Sequence, residues 1–191
     1  MRLFVALVPP PAVLDEVATA VERVRDRAPH LRWAARQQWH LTLAFLGEVA
    51  PDTVPDLSDR LARAARRHEP MPLAFAGAGR FDGRVLWLGV RGARQPLAAV
   101  AGSVGAAARR VGIAVQDRAY RPHLTLARSN EPVDLRPLVE ELGGFEGTEW
   151  SPAEVELIRS RLGRGPPVYE TVGRWPLGHR SSADGLSTTG R

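Results

Sequence analysis

Two histidines, each with a threonine two residues on, are the residues of this chain whose types and spacing suit chemistry: His40-Leu41-Thr42 and His123-Leu124-Thr125. Each sits in the same pentamer, HLTLA, at 40–44 and again at 123–127. Imidazole titrates near neutral pH, so one of two such rings can be neutral while the other is protonated. One ring then takes a proton from an attacking oxygen and the other gives one to a leaving oxygen. A hydroxyl two residues away can donate a hydrogen bond to a non-bridging phosphate oxygen. The four residues together suit transfer at a phosphodiester, with one acid–base group on each side of the phosphorus. A metal site fits less well. Neither histidine has an Asp, Glu or third His at ligand spacing, and threonine is a poor ligand for zinc or iron. No metal and no cofactor are expected. His30 after a helix-stopping proline, His68 at a helix end and His179 in the tail read as structural.

Strands must position these side chains, because successive residues of a strand point to opposite faces. Regular alternation puts Gln38, His40, Thr42 and Ala44 on one side and Trp39, Leu41, Leu43 and Phe45 on the other. In the second copy Arg121, His123 and Thr125 share a side, opposite Tyr120, Pro122, Leu124 and Leu126. Each strand then has one apolar face to bury and one face showing a His beside a Thr. The same alternation makes Arg121 the first candidate for a phosphate-contacting arginine. It turns Arg128 away from the site and assigns Trp39 and Phe45 to the core.

The surrounding elements repeat in outline. A β-rich opening, Arg2 to Val8, precedes a helix with Val13, Leu14, Val17, Val21 and Val24 at helical spacing. The first motif strand ends at Gly47, and a second helix carries Leu57, Leu61, Ala64 and Ala65 on one stripe. Asp82-Gly83 joins two further strands as a β-hairpin. A third helix then shows Leu97, Val100, Val104, Ala108 and Val111, followed by the second motif strand. A short helix in DLRPLVEEL and two closing strands complete the pattern. The expected fold is α+β and bilobal. Two pseudo-symmetric lobes each hold a mainly antiparallel sheet with helices on the outer face, and the cleft between them holds the site. A single domain is expected over 1–177, with the lobes meeting near 90–95 and a disordered tail at 178–191.

Composition excludes several classes. The absence of cysteine rules out disulfides, thiolate nucleophiles and cysteine metal sites, and fits a cytoplasmic protein. MRLFVALVPPPAVLDE reads as a first strand rather than a signal peptide, and no run is long enough to span a bilayer, so no membrane partner is expected. The net charge of +5 invites a nucleic-acid reading. All 26 basic residues are arginine, however, alongside abundant Ala, Gly and Pro, a pattern of GC-rich codon choice that weakens basicity as a guide to partners.

Two His-x-Thr motifs in a bilobal α+β chain resemble the 2H phosphoesterase superfamily. The segments RLFVALVPP, WHLTLAFLGEV, DRAYRPHLTLAR and LIRSRLGRGPPVYETVGRWPL are similar, in order, to those of the 2′-5′ RNA ligase (LigT-like) RNA 2′,3′-cyclic phosphodiesterases, from Arg2 to Leu177. The resemblance implies metal-independent hydrolysis of RNA 2′,3′-cyclic phosphate ends to 2′-phosphomonoesters, with weak reversible 2′-5′ ligation. It makes His40 the general acid and His123 the general base, with Thr42 and Thr125 holding phosphate oxygens. Arg118 matches a basic position of the family pattern and joins Arg121 as a candidate substrate contact. The implied partners are RNA ends or oligonucleotides with a 2′,3′-cyclic phosphate, met by a monomer. The competing readings are an RNA-binding module without turnover and a phosphodiesterase for small cyclic nucleotide phosphates.

Overall fold

In a computed structural model of the chain, residues 1–116, 119–163 and 165–178 are described. The expected tail and its His179 lie outside these residues, apart from Gly178. Among the described residues eight strands and four α-helices follow one another as β1 (Arg2–Leu7), α1 (Pro11–Arg25), β2 (Arg32–Trp33), β3 (Leu41–Glu48), α2 (Val54–Ala65), β4 (Leu73–Phe81), β5 (Val85–Gly92), α3 (Arg94–Arg109), β6 (His123–Arg128), α4 (Arg136–Leu142), β7 (Glu154–Arg161) and β8 (Val168–Pro176). Every strand expected from the sequence is present. The two-residue β2 is too short for periodicity to reveal. Asp82 and Gly83 take φ of 49° and 63°, the left-handed pair that a tight hairpin turn requires.

The strands form two four-stranded antiparallel sheets, ordered β3-β1-β7-β8 and β2-β6-β5-β4. Helices α2 and α3 pack together and against the first sheet, whereas α4 packs on β4 and β5 and touches α1. The fold is therefore α+β with two similarly built lobes, each a sheet with two helices. The lobes are not consecutive halves of the chain. The first sheet takes two strands from the start and two from the end, and the second takes those between. The crossing from β5 to α3, near residues 90–95, is one of several.

Apolar residues from all four helices and from both sheets join one continuous core. Leu3, Val5 and Leu7 of β1, Leu41 and Leu43 of β3, and Leu124 and Leu126 of β6 all face it. The opposite face of β1 carries Phe4 and Ala6, which with Ile158 make a small separate cluster against Tyr169. Tyr120, three residues before the second motif histidine, donates its hydroxyl to the carbonyl of Thr42 at 3.0 Å. This bond ties the approach to β6 to the middle of β3, and the two motif strands lie against each other.

The leucine that follows each motif histidine is fully buried. Either Leu41→Ala or Leu124→Ala should cost about 2–5 kcal/mol of stability, as for other buried leucines. Urea denaturation of each variant measures the cost.

Candidate active site

His40 and His123 are held by the same device. Nδ1 of His40 lies 2.7 Å from the carbonyl oxygen of Gln38, and Nδ1 of His123 lies 2.7 Å from that of Arg121. A carbonyl can only accept, so each Nδ1 carries the hydrogen. Each Nε2 is then the basic nitrogen of its ring, the atom through which a proton is taken up or released. In both cases the carbonyl belongs to the residue two positions earlier.

Each ring also sits in an aromatic setting. Phe4 lies 4.6 Å from His40 between ring centroids, and Tyr169 meets it edge-on at 5.4 Å. Phe81 meets His123 edge-on at 4.9 Å, and Trp87 lies 6.2 Å away. The indole of Trp87 fits because residue 79, its cross-strand partner, is glycine. A Cβ there would come within 2.2 Å of the ring.

The strands carrying these motifs do not alternate regularly. In β3, Thr42 pairs with Ala6 and Ala44 with Val5, so Leu43 is an extra residue. In β6, Thr125 pairs with Trp87 and Ala127 with Leu86, so Leu126 is the extra residue. The bulge falls at the same leucine of both pentamers, and each reverses the faces beyond it. Ala44 and Ala127 turn inward and are buried, while the residue after each pentamer turns toward the cleft.

Two expectations based on regular alternation fail for this reason. Phe45 is not a core residue. It pairs with Phe4, lies 6.3 Å from that ring on the cleft side, and is 53% exposed. Arg128 is not turned away either. It follows the second pentamer as Phe45 follows the first, and its positive charge acts on both His40 and Tyr169. Trp39 is buried in the core as expected.

Thr42 and Thr125 keep the cleft face with their histidines, each paired to a cleft-facing residue of the neighbouring strand. Arg121 precedes β6 and is exposed. Its carbonyl orients His123, and strand alternation does not govern its side chain. Arg118 lies outside the described residues. His68 bonds Ser103 at 2.8 Å, in keeping with a structural role. Among the described residues no group of three or more His, Cys, Asp or Glu could hold a metal, and no helix is long and apolar enough to cross a membrane.

Desolvation within the Phe4–Tyr169 setting is the largest influence on His40 and disfavours its charged form. The Gln38 carbonyl opposes this, and the charges of Arg128 and His123 reinforce it. The ring is held down at about 4, from an ordinary 6.5. His40 is thus neutral in the free protein at pH 7, and an anion placed beside Arg128 would raise its affinity for a proton by offsetting that charge, against the larger effect of burial. Burial likewise raises Tyr169, against the opposing charges of Arg128 and Arg2.

Between pH 6.5 and about 4 the unfolded chain binds a proton at His40 that the fold refuses. Stability from this group is therefore complete above 6.5 and declines as the pH falls through that window. The melting temperature of His40→Gln should fall less steeply there than that of the native protein. Arg128→Gln should move the His40 midpoint upward, as NMR titration of the ring protons would show.

The 2′-5′ RNA ligase superfamily model matches residues 10–164. The RNA 2′,3′-cyclic phosphodiesterase of Escherichia coli (strain K12) is 32% identical over 185 residues, which cover 92% of this chain and 96% of that protein. The protein of the same name from Geobacillus stearothermophilus is 31% identical over 177 residues, covering 85% of this chain but only 54% of its own length. Among solved structures, a Thermus thermophilus protein matches with a TM-score of 0.78 at 28% identity, over 93% of this chain and 98% of that one. Escherichia coli LigT complexed with 3′-AMP matches with a TM-score of 0.75, also at 28% identity and with the same coverage. The two His-x-Thr strands, the two-sheet architecture and these matches lead to one conclusion: the chain belongs to the 2′-5′ RNA ligase superfamily.

Proposed function

We propose that this protein hydrolyses RNA 2′,3′-cyclic phosphate ends to 2′-phosphomonoesters without a metal ion. The observation that carries the reading is the matched pair of histidines on strands of the two sheets that lie against each other. Each has Nδ1 locked to a carbonyl, a threonine two residues on and an aromatic neighbour. The relatives named RNA 2′,3′-cyclic phosphodiesterase support the same substrate.

In this mechanism His123 takes a proton from water through Nε2. The water oxygen attacks phosphorus on the side opposite the 3′ oxygen, the P–O3′ bond breaks, and His40 gives a proton to that oxygen. The phosphate stays on the 2′ oxygen. Thr42 and Thr125 donate to the non-bridging oxygens, and the Arg128 guanidinium offsets charge that builds on them. His40 starts neutral, so its acid form arises in the complex. The phosphodiester anion cancels the field of Arg128 and favours proton uptake. A ribose 5′-hydroxyl in the place of water makes the same attack, forming the P–O5′ bond as P–O3′ breaks, and leaves a 2′-5′ linkage. Arg121, and Arg118 beside it in sequence, are proposed contacts to the RNA backbone. Both histidines come from one chain, which suits a monomer, and the cysteine-free composition suits the cytoplasm.

The direct test is incubation with an RNA ending in a 2′,3′-cyclic phosphate in excess chelator. Ring opening to a 2′-phosphate is expected; no turnover, loss on chelation, or a 3′-phosphate product would refute the proposal. His40→Ala or His123→Ala should each lower kcat by about 10²–10⁴-fold, the usual cost of losing one acid or base. Arg128→Ala should lower it by about 10²–10³-fold, as for loss of one group that stabilises developing oxygen charge. The native pH–rate profile should be bell-shaped, and a flat one between about pH 5 and 8 would argue against two titrating histidines.

A further inference from the structure

A cavity of about 170 Å³ opens beside His40 on the first sheet. Val8, Trp39, Ile158 and Tyr169 give it apolar walls. Its polar lining is Gln37, His40, Thr171, Arg174 and Glu156, and Glu156, only 6% exposed, is the one buried charged or polar side chain among the described residues. The mechanism above makes no use of this carboxylate.

Glu156 is braced by two side chains on its cross-strand neighbour. Thr171 donates its hydroxyl to Oε2 at 2.9 Å, and Nε of Arg174 lies 3.3 Å from the same oxygen. These partners are three positions apart in β8, so regular alternation would send them to opposite faces. A bulge in β8 prevents that. Ile158 pairs with Thr171 and Leu157 with Gly173, leaving Val172 as the extra residue. Thr171 and Arg174 thereby both reach Glu156. Both engage Oε2, so the two lone pairs of Oε1 remain to accept two neighbouring donors of a ligand.

We propose that this cavity seats the base of the nucleotide bearing the cyclic phosphate, and that Glu156 makes guanine the preferred base. The inference rests on the acid role given to His40. A ring that protonates the 3′ oxygen stands on the ribose side of the phosphorus, and the base extends from that ribose away from His123. The apolar walls suit the faces of a planar ring. A carboxylate only accepts hydrogen bonds, and guanine presents two adjacent donors, N1–H and the N2 amino group. Adenine and cytosine place an acceptor nitrogen beside their amino group, and uracil flanks its single N–H with two carbonyls. Each would set a lone pair against the carboxylate. The O6 of guanine can in turn accept from Arg174.

The test uses four dinucleotides with a common 5′ nucleoside, ending in guanosine, adenosine, cytidine or uridine 2′,3′-cyclic phosphate. The guanosine end should show the highest kcat/KM, by roughly 5- to 150-fold, the range for one well-made pair of hydrogen bonds to a base edge. Glu156→Gln replaces one acceptor oxygen by a donor and should lower the guanosine-to-uridine ratio toward one. Thr171→Val, which keeps the carboxylate but removes a brace, should shift the ratio the same way by less, and stands in if Glu156→Gln fails to fold. Equal native rates on all four ends, an unchanged ratio in the variants, or an equal loss on every end would overturn the inference while leaving the ring-opening reading intact. No native turnover on any end would instead sink that reading. Calorimetric binding of the four nucleoside 2′-monophosphates then decides the cavity separately: tighter binding of the guanosine compound upholds the base preference, and equal binding overturns it.

Discussion

A β-strand shows alternate residues to opposite faces, and one inserted residue reverses that order for everything beyond it. Both HLTLA strands carry the insertion at their second leucine. Upstream of it, alternation keeps His and Thr together on the cleft face and buries the first leucine. Downstream, the reversal buries the alanine and turns Phe45 in one strand and Arg128 in the other toward the cleft. The repeated pentamer thus carries a repeated backbone irregularity as well as a repeated pair of side chains. Its two continuations differ in chemistry, an exposed aromatic in one lobe and a cation in the other. The two halves of the site are alike in geometry and unlike in charge.

That asymmetry sets the electrostatics. His40 lies against Phe4 and Tyr169, within reach of the positive charge of Arg128 and of the titratable ring of His123. All three influences favour its neutral form, and only the Gln38 carbonyl opposes them. A site of this kind resists protonation until an anion enters. In the proposed reaction the same cation that lowers His40 in the free protein would face the phosphodiester anion, and substrate binding would then favour proton uptake at His40.

The path of the chain explains why the cleft holds its shape. Each lobe is assembled from separated segments, and apolar residues of both lobes share one core. The Tyr120 hydroxyl adds a direct bond between the approach to β6 and the backbone of β3, well inside the protein where burial raises its affinity for the proton it donates. Moving one histidine relative to the other would require repacking that common core, which close packing opposes. A bulge in β8, independent of the two in the motif strands, brings Thr171 and Arg174 to Glu156 beside His40.

The sequence by itself determined the helices and every strand but the two-residue β2, because their apolar periods are long and clear. It also determined the identity of the four motif residues, because composition, spacing and repetition all single them out. It did not determine the faces beyond Thr42 and Thr125. A bulge leaves the residue types unchanged and alters only which cross-strand partner each one meets, so regular alternation assigns Phe45 and Arg128 to the wrong sides. Glu156 is likewise hidden, since one acid in VELIRSRL looks like any solvent-facing charge until β8 is laid beside it. The division of the lobes escapes for a related reason. Local pattern fixes each strand, but its neighbours in the sheet can lie far away along the chain, as β7 does from β1. Tertiary pairing alone decided which charges met in the cleft, because alternation is a local property of one strand and register is a property of two.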